Sequence, residues 1–94
     1  MKERFIGKHC LIRTYSAGVH IGTVEDIEGT NILLKNSRRL WFWKGAFTLS
    51  AVAKEGIGEG SRISTEVEEL MLTEAIEIIP ITIEAKKTYE KYYE

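Results

Sequence analysis

The chain has little of several things, and each shortage excludes a class. It holds one cysteine, Cys10, so neither an intramolecular disulfide nor a zinc site built on paired cysteines can form. Without a disulfide framework the reducing cytoplasm is the expected compartment. One proline and eight glycines in 94 residues exclude collagen-like and proline-rich disordered chains. No apolar run exceeds the four residues of Leu40-Trp41-Phe42-Trp43, far short of the ~20 residues that span a bilayer. Met1-Lys2-Glu3-Arg4-Phe5 lacks an apolar core segment, so a signal peptide is not expected. Charge of one sign is lacking too. The 13 Lys+Arg face 14 Asp+Glu, a formal net of -1, which excludes a strongly basic nucleic-acid coat or an acidic disordered tail as a description of the whole chain.

What is present fits a small globular protein. Hydrophobic residues make up 44% and charged residues 29%, both ordinary values. The length allows one domain, which buries roughly 60–65% of its unfolded surface. Oligomers are therefore plausible. Residues 1–50 hold eight Lys/Arg and four Asp/Glu, a net of +4, and residues 51–94 hold five Lys/Arg and ten Glu, a net of -5. Near-neutrality hides a basic half and an acidic half.

The first half reads as strands: Lys8–Tyr15, Val19–Ile27, Ile32–Leu34 and Arg39–Trp43, all rich in β-branched and aromatic residues. Ser16-Ala17-Gly18 and Glu28-Gly29-Thr30-Asn31 supply turns, and Lys35-Asn36-Ser37-Arg38 breaks or bends the chain. From Thr48 the period changes. Thr48 can cap a helix, Leu49, Val52 and Ala53 share one face, and Gly56 sits where a terminating glycine belongs, giving a short helix over about 48–56. Arg62–Val67 and Leu70–Ile79 are the last expected strands, with Glu68-Glu69 a break between them and Pro80 an end. Residues 1–80 then form one β-rich domain. Residues 81–94, polar and Tyr-bearing, read as a short C-terminal helix or a polar tail that frays. The expected class is mainly β: a small SH3-like or Sm-like barrel, or a curved antiparallel sheet with one short helix.

Two constellations carry chemistry. A two-residue Ala17–Gly18 turn would set Tyr15 opposite His20 and Arg13 opposite Gly22, gathering Arg13, Tyr15 and His20 on one face and leaving Ile12, Thr14, Val19 and Ile21 for the core. Such a group suits a flat phosphorylated ligand. A three-residue turn would shift the register and remove it. The second constellation is Arg38-Arg39-Leu40-Trp41-Phe42-Trp43-Lys44. Alternation sends Arg39, Trp41 and Trp43 one way, and Leu40 and Phe42 toward a core. The two tryptophans could stack bases with Arg38, Arg39 and Lys44 on phosphates, seal a subunit interface, or be covered by the helix or the C-terminal segment. Enzyme activity is not expected. His9 and Cys10 alternate across a strand, His20 is far from His9, and Gly56-x-Gly58-x-Gly60 lacks the lysine and helix of a phosphate loop. No metal or cofactor is expected.

Gly7-Lys8-His9-Cys10-Leu11-Ile12-Arg13-Thr14-Tyr15-Ser16-Ala17-Gly18-Val19-His20-Ile21-Gly22 and Arg38-Arg39-Leu40-Trp41-Phe42-Trp43-Lys44-Gly45-Ala46-Phe47 resemble stretches of a family of small bacteriophage and prophage proteins. The resemblance covers about residues 6–80. It implies a phage-encoded protein acting in the host bacterial cytoplasm, where small proteins counter host defence or assist assembly. Joined to the residue chemistry, it gives an expected function: a non-catalytic anti-defence sponge that sequesters a small nucleotide immune signal, a cyclic dinucleotide or oligonucleotide. Tyr15, Trp41 and Trp43 would stack bases, Arg13, Arg38, Arg39 and Lys44 would hold phosphates, and Ser16 or His20 would hydrogen-bond the ligand. A homo-oligomer is expected, with ligand near its interface. The alternatives are a single-stranded nucleic-acid binder, for which the same surface would serve, and a protein–protein or assembly module.

Overall fold

The computed structural model describes residues 1–92. A 3-10 turn at Lys2–Arg4 leads into β1 (His9–Thr14), β2 (Val19–Glu28) and β3 (Asn31–Phe42). Helix α1 (Leu49–Glu55) follows, then β4 (Arg62–Ile63), β5 (Val67–Leu72), β6 (Ala75–Pro80) and α2 (Ile83–Tyr89). All pairings are antiparallel, in the order β4-β3-β2-β1-β6, with β5 beside β4 on the same edge of the long β3. The fold is therefore a six-stranded antiparallel sheet with two helices. It is not closed into the expected barrel. Helices cover one face of the sheet, and on the other face side chains from β1, β2, β3 and β5 pack on one another with Phe5, so apolar residues are buried on both sides without closure.

One core lies under the helices: Leu11, Ile21, Leu40 and Ile63 of the sheet meet Val52 and Ala53 of α1 and Ala85 and Tyr89 of α2. The other, on the opposite face, gathers Cys10, Ile12, Val24, Ile32, Leu34 and Leu72, with Phe5, Leu70 and Ile78 packed on it. Because β1 is buried on both faces, Leu11 and Ile12 are equally inaccessible. The expected single core face of Ile12, Thr14, Val19 and Ile21 is thus divided between two cores.

Helix α1 follows its end signals. Thr48 Oγ1 accepts from the Ala51 N–H at 3.1 Å, and Gly56, at φ +94°, donates its N–H to the Ala51 and Val52 carbonyls. The C-terminal segment takes the helical option. Thr82 Oγ1 accepts from the Ala85 N–H, Ala85 and Tyr89 are buried, and the Tyr89 hydroxyl donates to the Val52 carbonyl. Residues 93 and 94, the end of the expected 81–94 segment, lie outside the described residues. No helix among the described residues is long and apolar enough to cross a membrane.

Three strand expectations are corrected. Lys35-Asn36-Ser37-Arg38 bends the chain without ending the strand, because Asn36 takes φ +52° and β3 runs on through it. Glu68 and Glu69 lie within β5, an edge strand where exposed charge is tolerated. The interruption falls at Thr73-Glu74 instead, where β5 passes to β6. There the Thr30 hydroxyl donates to the Thr73 carbonyl, and the Ala75 N–H donates to the Thr30 carbonyl. The expected Arg62–Val67 strand keeps only Arg62–Ile63 as β4.

Candidate functional site

The β1–β2 turn decides what meets what. Thr14 N–H donates to the Gly18 carbonyl at 3.1 Å, closing a three-residue Tyr15-Ser16-Ala17 loop with Gly18 at φ +86°. The Thr14 hydroxyl stiffens it, donating to the Gly18 carbonyl and accepting from the Ala17 N–H, both at 2.8 Å. This puts Ile12, not Tyr15, opposite His20, and Cys10 opposite Gly22. An odd shift in register turns a side chain to the other face. The Arg13–Tyr15–His20 cluster is therefore not formed. Tyr15 is exposed on the loop, Arg13 reaches Glu77 across 3.9 Å, and the Ser16 hydroxyl donates to Glu74 at 3.0 Å. Basic half and acidic half meet here within one chain.

His20 goes inward, 1% exposed, opposite Arg39 of β3. Beyond it β2 and β3 slip: Ile21 pairs with Arg38, but Thr23 pairs with Lys35, so Asn36 and Ser37 together oppose Gly22. This is a β-bulge, which re-aims the side chains of the bulged strand. Gly22 leaves no open space beside the strand. A Cβ there would lie 3.1 Å from the Lys35 carbonyl oxygen and 3.2 Å from the Ser37 Cα. The glycine is what lets the bulge approach.

The bulge borders a cleft of about 210 Å³ lined by His20, Ser37, Arg39, Ser64, Thr65, Val67 and Leu70. Ser64 fixes its wall: the Ser64 hydroxyl accepts from the Arg39 N–H at 2.7 Å, and the Ser64 carbonyl accepts from Arg38 Nε at 2.9 Å. Two of these lining residues carry a buried polar atom, His20 Nδ1 and Ser37 Oγ, with no hydrogen-bond partner among the described residues. His20 Nε2–H donates to the Ala17 carbonyl at 2.9 Å. Burial lowers the pKa of the imidazole, the Ala17 bond opposes this, and the Arg39 charge adds to the lowering. The ring is therefore neutral at pH 7. Arg39 is exposed and makes no ion pair among the described residues.

The other aromatic and basic candidates divide. Arg38 lies on the helix side, donating to the carbonyls of Ser64, Tyr89 (3.4 Å) and Tyr92 (2.8 Å). Trp43 is half-buried against the helix core and its Nε1–H donates to the Ala46 carbonyl. Of the three readings for the tryptophans, coverage by the helix describes Trp43. Trp41 stays 55% exposed. The β3–β4 register shifts between Leu40 and Phe42, so alternation fails there and Phe42, expected in the core, is 46% exposed. Lys44 is exposed, its aliphatic stem against Gly60. Cys10 is fully buried, which pushes its thiol pKa up to about 11 and leaves it unreactive. Among the described residues no three His, Cys, Asp or Glu form a group that could hold a metal ion.

Sequence reasoning found His20 and Arg39 but missed that they are partners, and missed Ser37, Ser64, Thr65, Val67 and Leu70. One signal was available: Ser37 is a small polar residue in the bending segment between two apolar stretches, Ile32-Leu33-Leu34 and Leu40-Trp41-Phe42. Comparison with known families supports treating these elements as one unit, since a family model described as a domain of unknown function, DUF6948, matches residues 7–89. The chain belongs to the DUF6948 family. The match spans all six strands and both helices, and so includes the whole cleft. No curated protein and no solved structure matches this DUF6948 chain.

Proposed function

We propose that this domain is a non-catalytic binding module that captures a small phosphorylated ligand of the nucleotide class in the cleft between His20, Ser37 and Arg39. One observation carries the reading: among the described residues, His20 Nδ1 and Ser37 Oγ are buried without hydrogen-bond partners, and Arg39, which lines the same cleft, makes no ion pair. Buried polar atoms are nearly always satisfied, so orphans beside a cleft call for a partner from outside the chain. Arg39 suits the phosphate. Exposed Trp41, two residues along β3, supports a stacking role at the mouth.

The cleft is smaller than the ~300–1,000 Å³ of typical ligand sites. One chain would then seat one nucleotide unit, and a cyclic di- or oligonucleotide would engage clefts from more than one copy. That is the anti-defence sponge implied by the likeness to phage proteins, working in the bacterial cytoplasm as a homo-oligomer. Within this proposal Arg39, His20, Trp41 and Lys44 keep ligand roles. Arg38 and Trp43 hold the fold, Arg13 of β1 faces Glu77 of β6, and Tyr15 and Ser16 belong to the β1–β2 loop, where Ser16 bonds Glu74 just before β6. The exposed Arg39–Trp41–Lys44 run favours single-stranded nucleic acid as a second reading.

Tryptophan fluorescence titrated with a cyclic-nucleotide panel and with short oligonucleotides tests both. Saturable quenching by one cyclic nucleotide, with ligand recovered intact after heat denaturation, is the expected result. Binding only to oligonucleotides, with steep salt dependence, moves the assignment to the second reading. Chemically altered ligand would mean an enzyme, and no response to either class would end both nucleotide readings.

A further inference from the structure

We propose that the outer edge of β6 is a contact between two copies of this chain, which pair their β6 strands antiparallel about a two-fold axis at Ile78. The inference supplies the interface for the homo-oligomer in the reading above. It rests on no ligand and is tested without one.

Strand β6 ends the sheet, with β1 on one side and no strand among the described residues on the other. Its inner side is fixed by the Ile81 N–H, which donates to the His9 carbonyl at 2.9 Å. Bonded and unbonded pairs alternate along an antiparallel ladder, so Ile79 opposite Leu11 bonds to β1, while Ile78 and Pro80 direct their backbone polar groups outward. Pro80, without an N–H, stands where no bond to β1 is lost. The Ile78 N–H and carbonyl meet no other partner among the described residues.

An open edge of this kind is a template for another strand. With the axis at Ile78, that residue exchanges two N–H···O bonds with its own copy. An axis at Glu77 would set the carboxylate against itself. One at Ile79 would put Pro80 opposite Ile78 and leave the Ile78 carbonyl without a donor. One at Ile76 would fall on the bulge, where the β1–β6 register shifts between Arg13 and Thr14.

The surroundings fit the same axis. On the helix-free face two troughs flank Ile78 along β6: one of about 420 Å³ at Pro80, walled by Met1 and Phe5, and one of about 300 Å³ at Ile76. The two-fold sets Ile76 of one copy, 54% exposed when alone, beside the Pro80 trough of the other. Charge agrees with this arrangement. Arg4 and Lys8 line the Pro80 trough, are exposed, and make no ion pair among the described residues. Glu74 and Glu77 lie toward the opposite end of the strand. The axis therefore brings the basic end of each copy to the acidic end of the other, the self-complementarity that an isologous dimer requires.

Sedimentation equilibrium of the full chain should show a monomer–dimer equilibrium that weakens with salt. Ile76→Lys, at an exposed position, should raise the dimer dissociation constant at least about tenfold, and Arg4→Glu with Lys8→Glu about tenfold, with circular dichroism unchanged. Register is read by cross-linking. A bonded antiparallel pair holds its Cα atoms about 5.5 Å apart, within disulfide reach. Mild oxidation should therefore link Ile78→Cys chains and not Ile76→Cys chains, whose new thiol faces Pro80; buried Cys10 does not compete. A monomer at every concentration overturns the proposal, and if that monomer binds a synthetic peptide of residues 74–81 the edge serves a foreign strand instead. A dimer indifferent to Ile76→Lys, or one that cross-links at Ile76 and not at Ile78, also overturns it. None of these outcomes bears on the cleft, whose ligand titration stands separately.

Discussion

Arg38 and Arg39 are neighbours on β3, and the regions they enter differ in one respect. On the helix side the Arg38 guanidinium meets three carbonyls, those of Ser64, Tyr89 and Tyr92, and so ties β3 to the β4–β5 connection and to the end of α2. On the other side Arg39 meets no carboxylate or carbonyl among the described residues and borders a cleft with two orphaned polar atoms. The same side-chain type, one residue apart, serves cohesion on one face and is left available on the other. Orphaned buried atoms do not separate the two sides, since His9 Nδ1, which lines a cavity with Arg38, also lacks a partner among the described residues; what separates them is the guanidinium, engaged in Arg38 and without an ion pair among the described residues in Arg39.

The largest expected effect breaks the cohesive side. Arg38→Ala removes the charge-assisted bonds to Ser64, Tyr89 and Tyr92 and leaves part-buried carbonyls unmet. A loss of about 2–3 kcal/mol is expected, which for a chain of this length lowers the melting temperature by roughly 10–20 °C. Thermal denaturation followed by circular dichroism measures it. A shift of a degree or two would mean that α2 is held by Ala85, Tyr89 and the Thr82 and Thr88 bonds to α1 and Ile57 without help from Arg38.

Acid should act next, through histidines on both sides of the sheet. Burial lowers the pKa of His9 to about 4, with Lys86 adding to the lowering and Glu90 opposing it, and burial likewise lowers that of His20. Both rings take up protons more readily in the unfolded chain, whose histidines titrate near 6.5. Above that pH neither ring distinguishes the states. As pH falls from about 6.5 toward 4 the unfolded chain binds more protons, and the stability present at neutral pH is lost. A decrease on the order of 1–2 kcal/mol between pH 7 and pH 4.5 is expected, read from urea midpoints at each pH. In His9→Gln the slope should shrink without vanishing, because His20 remains.

How much of this was legible in the sequence differs along the same divide. Thr48 and Gly56 announced α1 because capping is local chemistry. Alternation set Arg39 on the face opposite Leu40, as found, but Arg38 was expected to hold phosphate beside Arg39 and instead bonds chain carbonyls on the helix side. The pairing of His20 with Arg39 was not legible, because it depends on whether the β1–β2 loop has two residues or three. Thr14 decides that by bonding across the loop through its hydroxyl, a choice that composition does not reveal. Ser37 was hidden for a related reason. It enters the cleft only because Asn36 takes a left-handed conformation and Gly22 lets the bulge come close.

Ser37→Ala sharpens the comparison with the opposite sign. Its hydroxyl is buried without a partner among the described residues, so removing it should stabilise the ligand-free domain by about 1 kcal/mol, or roughly 4–8 °C, while weakening ligand binding. Destabilisation would show that the hydroxyl is satisfied in solution, by water or by the chain, and that the orphaned pair is not a feature of the free protein.

The smallest effect on stability belongs to Arg39→Ala, and it carries the most weight. An exposed side chain without an ion pair contributes little, so the melting temperature should move by no more than the equivalent of about 0.5 kcal/mol. Ligand affinity should fall at least about tenfold, since a charge-assisted bond to phosphate is lost. Set beside Arg38→Ala, the pair forms a double dissociation: one arginine governs folding, the other binding. The contrast survives only if both halves hold. If Arg39→Ala unfolds the domain, Arg39 belongs to the same cohesive network as Arg38. If it leaves both stability and affinity unchanged, the cleft at the bulge is not where the ligand sits, and exposed Trp41 with Lys44 becomes the surface to probe.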